Sequence, residues 1–259
     1  MHMPHWRLIV TPPASGAENM ALDEALMEQA QSTQEWVLRV YSWSSPTVSF
    51  GRNQSACGRY DRERIRDLKL DVVRRPTGGR AILHDREITY SVTAPIVQAG
   101  ELGDSYRRIN TVLLCGLRSI GVHATAAAPI KRSTEPGTTP CFAEPAAGEL
   151  TVDGRKLAGS AQWRTAGALL QHGSILVEDD QTILASLATD RARAIPRPAT
   201  LSQALGRTPS IHEVAGALGA AVRTLEDPTA DHLALDGGVR ARASTLVVRY
   251  LDEAWTWRR

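Results

Sequence analysis

Cysteine is scarce in this chain. Three occur among 259 residues, an odd number at irregular spacing, so no disulfide framework is implied. Free thiols fit a reducing compartment. CxxC pairs and His/Cys clusters at zinc spacing are missing, so no metal site is expected. A surplus of one charge is missing too: 30 Lys and Arg stand against 28 Asp and Glu, a formal charge of +2. That balance gives no reason to expect nucleic acid as a partner. Apolar runs fall well short of a bilayer span. The opening MHMPHWRLIV lacks the cationic stretch and long apolar core of a signal peptide. The expectation is a cytoplasmic protein with no membrane partner. With 42% hydrophobic and 22% charged residues, disorder is not expected either.

What is present is a chain long enough to bury a sizeable core. No break in composition divides it, so one domain is expected over residues 1–259, with a core over about 6–188 and a helical C-terminal part over about 189–259. HWRLIVT reads as a first strand. Ser15 followed by Glu18 is a capping-box pattern, and Met20, Leu22, Ala25, Leu26 and Met27 continue it as the apolar face of a helix. WVLRVYSW and TVSFGRNQ read as strands around the breaker Ser45–Pro46. A short charged helix over about 61–68 follows. DVVRRPTGGRAILHDREITYSVTAP has strand composition on both sides of a Pro-Thr-Gly-Gly turn. SYRRINTVLLCGLRSIGV reads as a helix ending at Gly121. GELTVDGRKLAGSAQWRTAGALLQHGSILVE reads as a meander, with Asp153–Gly154 as a hairpin turn. Beyond Asp179 the pattern is helical, apart from the poorly patterned LEDPTADHLALDGGVR. Strands in hairpin-like neighbours, with helices at the start, middle and end, predict an α+β fold: a mixed, largely antiparallel sheet flanked by helices.

Four stretches could carry chemistry. In RRPTGGRAILHD, Gly78 and Gly79 let the backbone approach a ligand closely, and Arg74, Arg75 and Arg80 surround them. The stretch is not a Walker loop, because the Gly-Lys-Ser/Thr ending is missing; a glycine-rich hairpin with incidental arginines is the plainer alternative. In GRKLAGSAQ, strand alternation puts Lys156, Ala158, Ser160 and Gln162 on one face and Leu157, Gly159 and Ala161 on the other. Small residues beside a lysine leave room for a ligand tail or a packed helix. His172, within LLQHGSILV, and His84 interrupt apolar strands, where a hydrogen-bonded structural role is the commoner one. Cys115 lies in an apolar helix and reads as core. Cys57 lies in a loop with no evident basic partner. Cys141 lies in a loop, where functional groups concentrate. A thiol attacks as thiolate, which a nearby cation favours, and Lys156 is one hairpin away.

In this order, RRPTGGRAILHD…ITYSV, CF, GRKLAGSAQ and LQHGSIL resemble the lipoate–protein ligase and octanoyltransferase family of the biotin/lipoyl protein ligase superfamily. MALDEALM and SFGRNQ match its N-terminal features, and the resemblance covers about residues 6–188. Gly78-Gly79-Arg80 in place of a third glycine, HDREITYSV, and Cys141 in PCF…E…GRK are closest to the M-type octanoyltransferases. The resemblance implies a core like that of class II aminoacyl-tRNA synthetases and biotin synthetase. It implies Cys141 as nucleophile and Lys156 as its activator. Gly78, Gly79, Gly159, Ser160 and Ala161 would line an acyl channel, and Arg75, His84 and His172 would shape the pocket. The implied reaction carries octanoate from acyl carrier protein to a lysine of a lipoyl domain, in glycine cleavage H protein or a dehydrogenase E2, with no cofactor. Three alternatives stand beside it: a lipoate ligase using ATP and Mg, an amidotransferase between lipoyl domains, and a non-catalytic acyl-group or lipoyl-domain binding protein.

Overall fold

The computed structural model describes residues 4–128, 141–143, 145–189 and 196–258. Strand β1 (Trp6–Val10) leads into helix α1 (Gly16–Thr33). Ser15 begins that helix as expected: its hydroxyl accepts the Glu18 N–H at 3.3 Å and its own N–H donates to the Glu18 carboxylate at 2.9 Å. β2 (Trp36–Tyr41), β3 (Thr47–Phe50), α2 (Arg62–Asp67), β4 (Asp71–Arg74), β5 (Ile82–His84) and β6 (Glu87–Pro95) follow. Next come α3 (Ile96–Ala99), α4 (Leu102–Ser119), β7 (Thr125–Ala126) and a single 3-10 turn over Cys141–Ala143. The meander is β8 (Leu150–Val152), β9 (Arg155–Arg164) and β10 (Ala168–Leu176). α5 (Gln181–Leu187), α6 (Leu201–Leu205), α7 (Ile211–Leu225), β11 (Asp231–His232), α8 (Gly237–Leu251) and α9 (Glu253–Thr256) complete the described chain. The poorly patterned segment thus holds a two-residue strand. The sequence also reads as a loop rich in Ala, Pro and Thr over about residues 124–140, and most of it lies outside the described residues.

Eight strands form the main sheet in the order β11-β1-β2-β6-β10-β9-β8-β7. From β2 to β7 every pairing is antiparallel, while β1 runs parallel to both β2 and β11. The expected mixed, largely antiparallel α+β fold is what forms. Both faces are covered. Leu38, Val40, Ile88, Val92 and Ile175 pack against α4 and α7 through Leu113, Leu117, Val214 and Leu218. Ile9, Val37 and Tyr41 pack against α1 and α8 through Met20, Leu26, Leu246 and Tyr250. Burial on both sides explains why β2 and β6 lack clean polar alternation.

The two strands expected around Pro46 both form, but β3 leaves the main sheet for a small one of order β4-β3-β5. The Pro-Thr-Gly-Gly segment is consequently not a hairpin. Strand β3 lies between β4 and β5, parallel to one and antiparallel to the other, so the glycine segment must cross over it. Gly51, just past β3, marks the crossing: a β-carbon there would sit 2.0 Å from the Gly79 carbonyl oxygen. A residue without a side chain at position 51 is what lets these backbones pass.

Candidate active site

Cys141 opens the 3-10 turn. Its N–H donates to the Ala81 carbonyl at 3.0 Å, and buried Phe142 packs with Ile82 and Leu176. These contacts pin the turn beside β5, leaving the Cys141 side chain half-buried. Lys156 reaches it from β9. Its Nζ lies 3.4 Å from Cys141 Sγ and 2.8 Å from the Cys141 carbonyl oxygen. The lysine is only 3% exposed, so this charge sits in a poorly hydrated place and acts strongly on its neighbours.

The route by which Lys156 arrives corrects the strand reading. Thr151 pairs with Lys156 and Leu150 with Ala158, leaving Leu157 as the extra residue of a bulge. A bulge moves what precedes it to the other face. Ala158, Ser160 and Gln162 stay together; Lys156 joins Gly159 and Ala161. Gly159 is what allows the lysine to lie flat. A β-carbon at that position would come within 2.9 Å of Lys156 Cε, 3.1 Å of Nζ and 3.4 Å of Cys141 Sγ. Ser160 therefore stands on the opposite face from the thiol, hydrogen-bonded to the Tyr90 hydroxyl at 2.6 Å. Burial, with the charge of Glu149, pushes the Tyr106 hydroxyl up to about 12.

A residue not singled out from sequence completes the centre. Glu149, 4% exposed, places Oε2 at 2.7 Å from Lys156 Nζ. The same carboxylate accepts the Ala146 N–H at 2.6 Å and the Ser160 N–H at 3.4 Å. The lysine ammonium has three protons, and they face a carboxylate, a carbonyl and a sulfur. An acid in a short loop reads as solvated. Its only sequence signal is its place, between the cysteine and the lysine.

The glycine segment is held from beneath. Arg75 is buried and donates to the Gly78 carbonyl at 2.9 and 3.1 Å, to Arg80 O at 2.7 Å, and to Ser49 O and Oγ at 3.0 Å each. Gly79 has φ +95°, a left-handed conformation that glycine adopts without strain. A β-carbon on it would be 2.7 Å from Arg75 Nη2 and 4.0 Å from the Ala161 β-carbon. Burial pushes the Arg75 guanidinium down, and Cys141, when ionised, acts in the opposite sense. His84 stands one step away: its Nε2 is 2.8 Å from Ser49 Oγ, its ring stacks on Trp43 at 3.9 Å, and its Nδ1 is 3.3 Å from Glu87.

His172 holds the same segment from β10. Its Nε2 is 2.6 Å from Thr77 Oγ1 and its Nδ1 3.2 Å from Asp23 Oδ2. Burial pushes His172 down, against the pull of Asp23, so the ring is neutral: Nδ1–H donates to Asp23 and Nε2 accepts from Thr77. Burial would push the Asp23 carboxyl up, but Arg39 at 2.7 Å, His172 and Ser91 outweigh it and hold it below its usual value. Asp23 was also missed; its signal is an acid on the apolar stripe of α1. Of the sequence-predicted residues, the fold brings together Cys141, Lys156 and Gly159, with Gly79 facing Ala161. Arg75, Gly78 and His172 support that arrangement, His84 acts at one remove, and Ser160 points away. Cys57 is exposed and Cys115 half-buried on α4. Among the described residues, no group of three or more His, Cys, Asp or Glu side chains is placed to hold a metal, and no helix is long and apolar enough to cross a membrane.

Residues 15–223 match the model of the lipoyl protein ligase A/B catalytic domain. A Kyrpidia tusciae protein named octanoyltransferase LipM is 38% identical over 279 aligned residues, covering 99% of this chain and all of the relative. A protein of the same name from Moorella thermoacetica is 44% identical over 178 residues, covering 66% of this chain and 65% of the relative. Among solved structures, Ta0514 from T. acidophilum, a lipoate protein ligase homologue determined with bound lipoic acid, superposes with a TM-score of 0.78 at 22% identity. That likeness covers 99% of this chain and 100% of Ta0514, and it establishes a shared fold.

Proposed function

The chain belongs to the lipoyl protein ligase A/B catalytic domain family, and from that premise we propose that it is an acyltransferase of protein lipoylation, moving an octanoyl group through a thioester on Cys141 to a lysine of a lipoyl domain. Relatives that match nearly the whole chain carry the name octanoyltransferase. A lipoyl-domain acceptor accords with a structural neighbour described as a bipartite lipoate protein ligase with its E2 lipoyl domain. We take octanoyl-acyl carrier protein as the donor. The observation that carries the cysteine route is the 3.4 Å approach of Lys156 Nζ to Cys141 Sγ inside a buried site.

Two steps follow. In the first, the Lys156 ammonium favours the Cys141 thiolate, which attacks the donor thioester. A carbon–sulfur bond forms to Cys141, the donor's carbon–sulfur bond breaks, and the donor leaves as its thiol after taking up a proton. In the second, the amine of the lipoyl-domain lysine attacks the new thioester. An amide forms, Cys141 is released, and the amine proton is lost. The first step exchanges like for like and the second runs downhill, so no nucleotide is needed. The incoming lysine, ordinarily protonated below about pH 10.4, must arrive neutral.

The test is transfer from octanoyl-acyl carrier protein to a purified lipoyl domain without ATP. Octanoyl-lysine on the domain is the expected result. ATP-dependent transfer of free lipoate, unaffected by Cys141→Ser, would replace this reading with a ligase. A strict requirement for an octanoylated lipoyl domain as donor would replace it with an amidotransferase.

A further inference from the structure

The acyl-enzyme contains a hazard. Once Cys141 carries an acyl group, the thioester carbon is bonded to a sulfur that lies 3.4 Å from Lys156 Nζ. The carbon is one bond beyond that sulfur, and rotation about the bond can bring it within the about 3–3.5 Å of Nζ at which reacting atoms are near attack. A neutral lysine there would take the acyl group for itself: a nitrogen–carbon bond forms, the carbon–sulfur bond breaks, and one amine proton passes to the departing thiolate. No other reactant is needed. The product, an amide, does not return the acyl group to sulfur, so each such event ends the working life of one enzyme.

We propose that Glu149 is a positioning residue that holds Lys156 as an ammonium and thereby guards the enzyme against acylating its own lysine. This rests on the reading of Cys141 as the acyl carrier. The carboxylate sits 2.7 Å from Nζ, and both groups are all but sealed from water, at 4% and 3% exposure. Burial alone favours the neutral amine, and a carboxylate in contact favours the charged form. Removing one partner of a buried pair leaves the other uncompensated. Glu149 is itself fixed, by the Ala146 N–H on its Lys156-facing oxygen and the Ser160 N–H on the other. The ammonium's other two protons face the Cys141 carbonyl and sulfur. In this state Nζ has no lone pair with which to attack, yet its charge still reaches the sulfur. The same ion pair thus reconciles an activating cation with an adjacent electrophile.

The experiment compares the wild type with Glu149→Gln, which keeps shape and loses charge. Each is mixed with octanoyl-acyl carrier protein without acceptor, treated with hydroxylamine, which cleaves thioesters and spares amides, and mapped by peptide mass. The wild type is expected to carry a hydroxylamine-labile octanoyl group at Cys141 and little at Lys156. Glu149→Gln is expected to accumulate a resistant octanoyl group on Lys156, at least about tenfold above the wild type, because no contacting carboxylate then favours the charged form of the buried amine. Its formation should rise with pH, a dependence that a merely loosened fold would not create. Adding Lys156→Arg should abolish the resistant product. If Glu149→Gln labels only Cys141, or the wild type acylates Lys156 to the same extent, the guard is wrong. A wild type with no labile octanoyl group overturns instead the reading beneath it. Should Glu149→Gln fail to fold, Glu149→Asp, whose shorter side chain withdraws the carboxylate, is judged by the same criterion.

Discussion

Lys156 Nζ is hemmed by three acceptors and by a glycine, so single substitutions around it should separate charge from space. Lys156→Gln keeps the length of the side chain approximately and loses the cation. The rate of Cys141 acylation should fall about 10²-fold or more, the scale on which a lost charge-stabilising group acts, and the thermal midpoint should fall too, because Glu149 is left as a buried carboxylate without its partner. Gly159→Ala is the steric counterpart. Its β-carbon would meet Lys156 Cε at 2.9 Å, so the lysine must leave the sulfur. Acylation should fall about tenfold or more, while stability drops by about 1–3 kcal/mol, the ordinary cost of overpacking. Single-turnover acylation and thermal melts of the same samples check both. The Cys141–Lys156 pair was legible in the sequence because one short hairpin separates its members. Glu149 was not, because nothing local distinguishes a buried acid from a solvated one. Nor was the face of Lys156: a strict period of two cannot register the bulge at Leu157, which depends on the partner strand.

At the scale of elements, α1 and β10 meet the glycine segment through one chain of contacts, Asp23 to His172 to Thr77. The chain makes stability depend on pH. Burial holds His172 below its ordinary value of about 6.5. The unfolded chain therefore binds a proton that the folded chain refuses as pH falls through that value, and stability falls with it. Asp23, held below its usual value, adds a second loss only under more acidic conditions, below about pH 4. The thermal midpoint should thus decline from pH 7 to pH 5.5, and His172→Gln should flatten that part of the curve. Equal declines in the two proteins would remove His172 as the cause. Helices α1, α4 and α7 and the β8–β10 meander were readable from capping and periodicity. The parallel placement of β1 beside β2, and the insertion of β3 between β4 and β5, were not. Strand order is decided by long-range packing, and local sequence carries little of it.

Across the molecule, Arg74 ties the C-terminal segment to the site. Fully buried, it donates to the carbonyls of Gly51, Arg52 and Gln54 on one side and of Trp255, Thr256 and Arg258 on the other. Trp255 Nε1 returns a bond to the Arg74 carbonyl at 3.0 Å. The loop so held contains Gly51, against which Gly79 packs. Arg74→Met should cost about 3 kcal/mol or more, since each buried carbonyl left unpaired costs about 1–3 kcal/mol, and transfer should weaken as the glycine segment loosens. Denaturant unfolding checks the first effect and steady-state transfer the second. From sequence this arginine looked like one of three around a glycine turn; that it serves the opposite end of the chain is visible only in the fold. The central claim, a thioester on Cys141, is tested most directly by intact mass after mixing with octanoyl-acyl carrier protein. The wild type should gain one octanoyl group that hydroxylamine removes, and Cys141→Ser should gain none. A Cys141→Ser protein that still acquires the hydroxylamine-labile group would contradict the account.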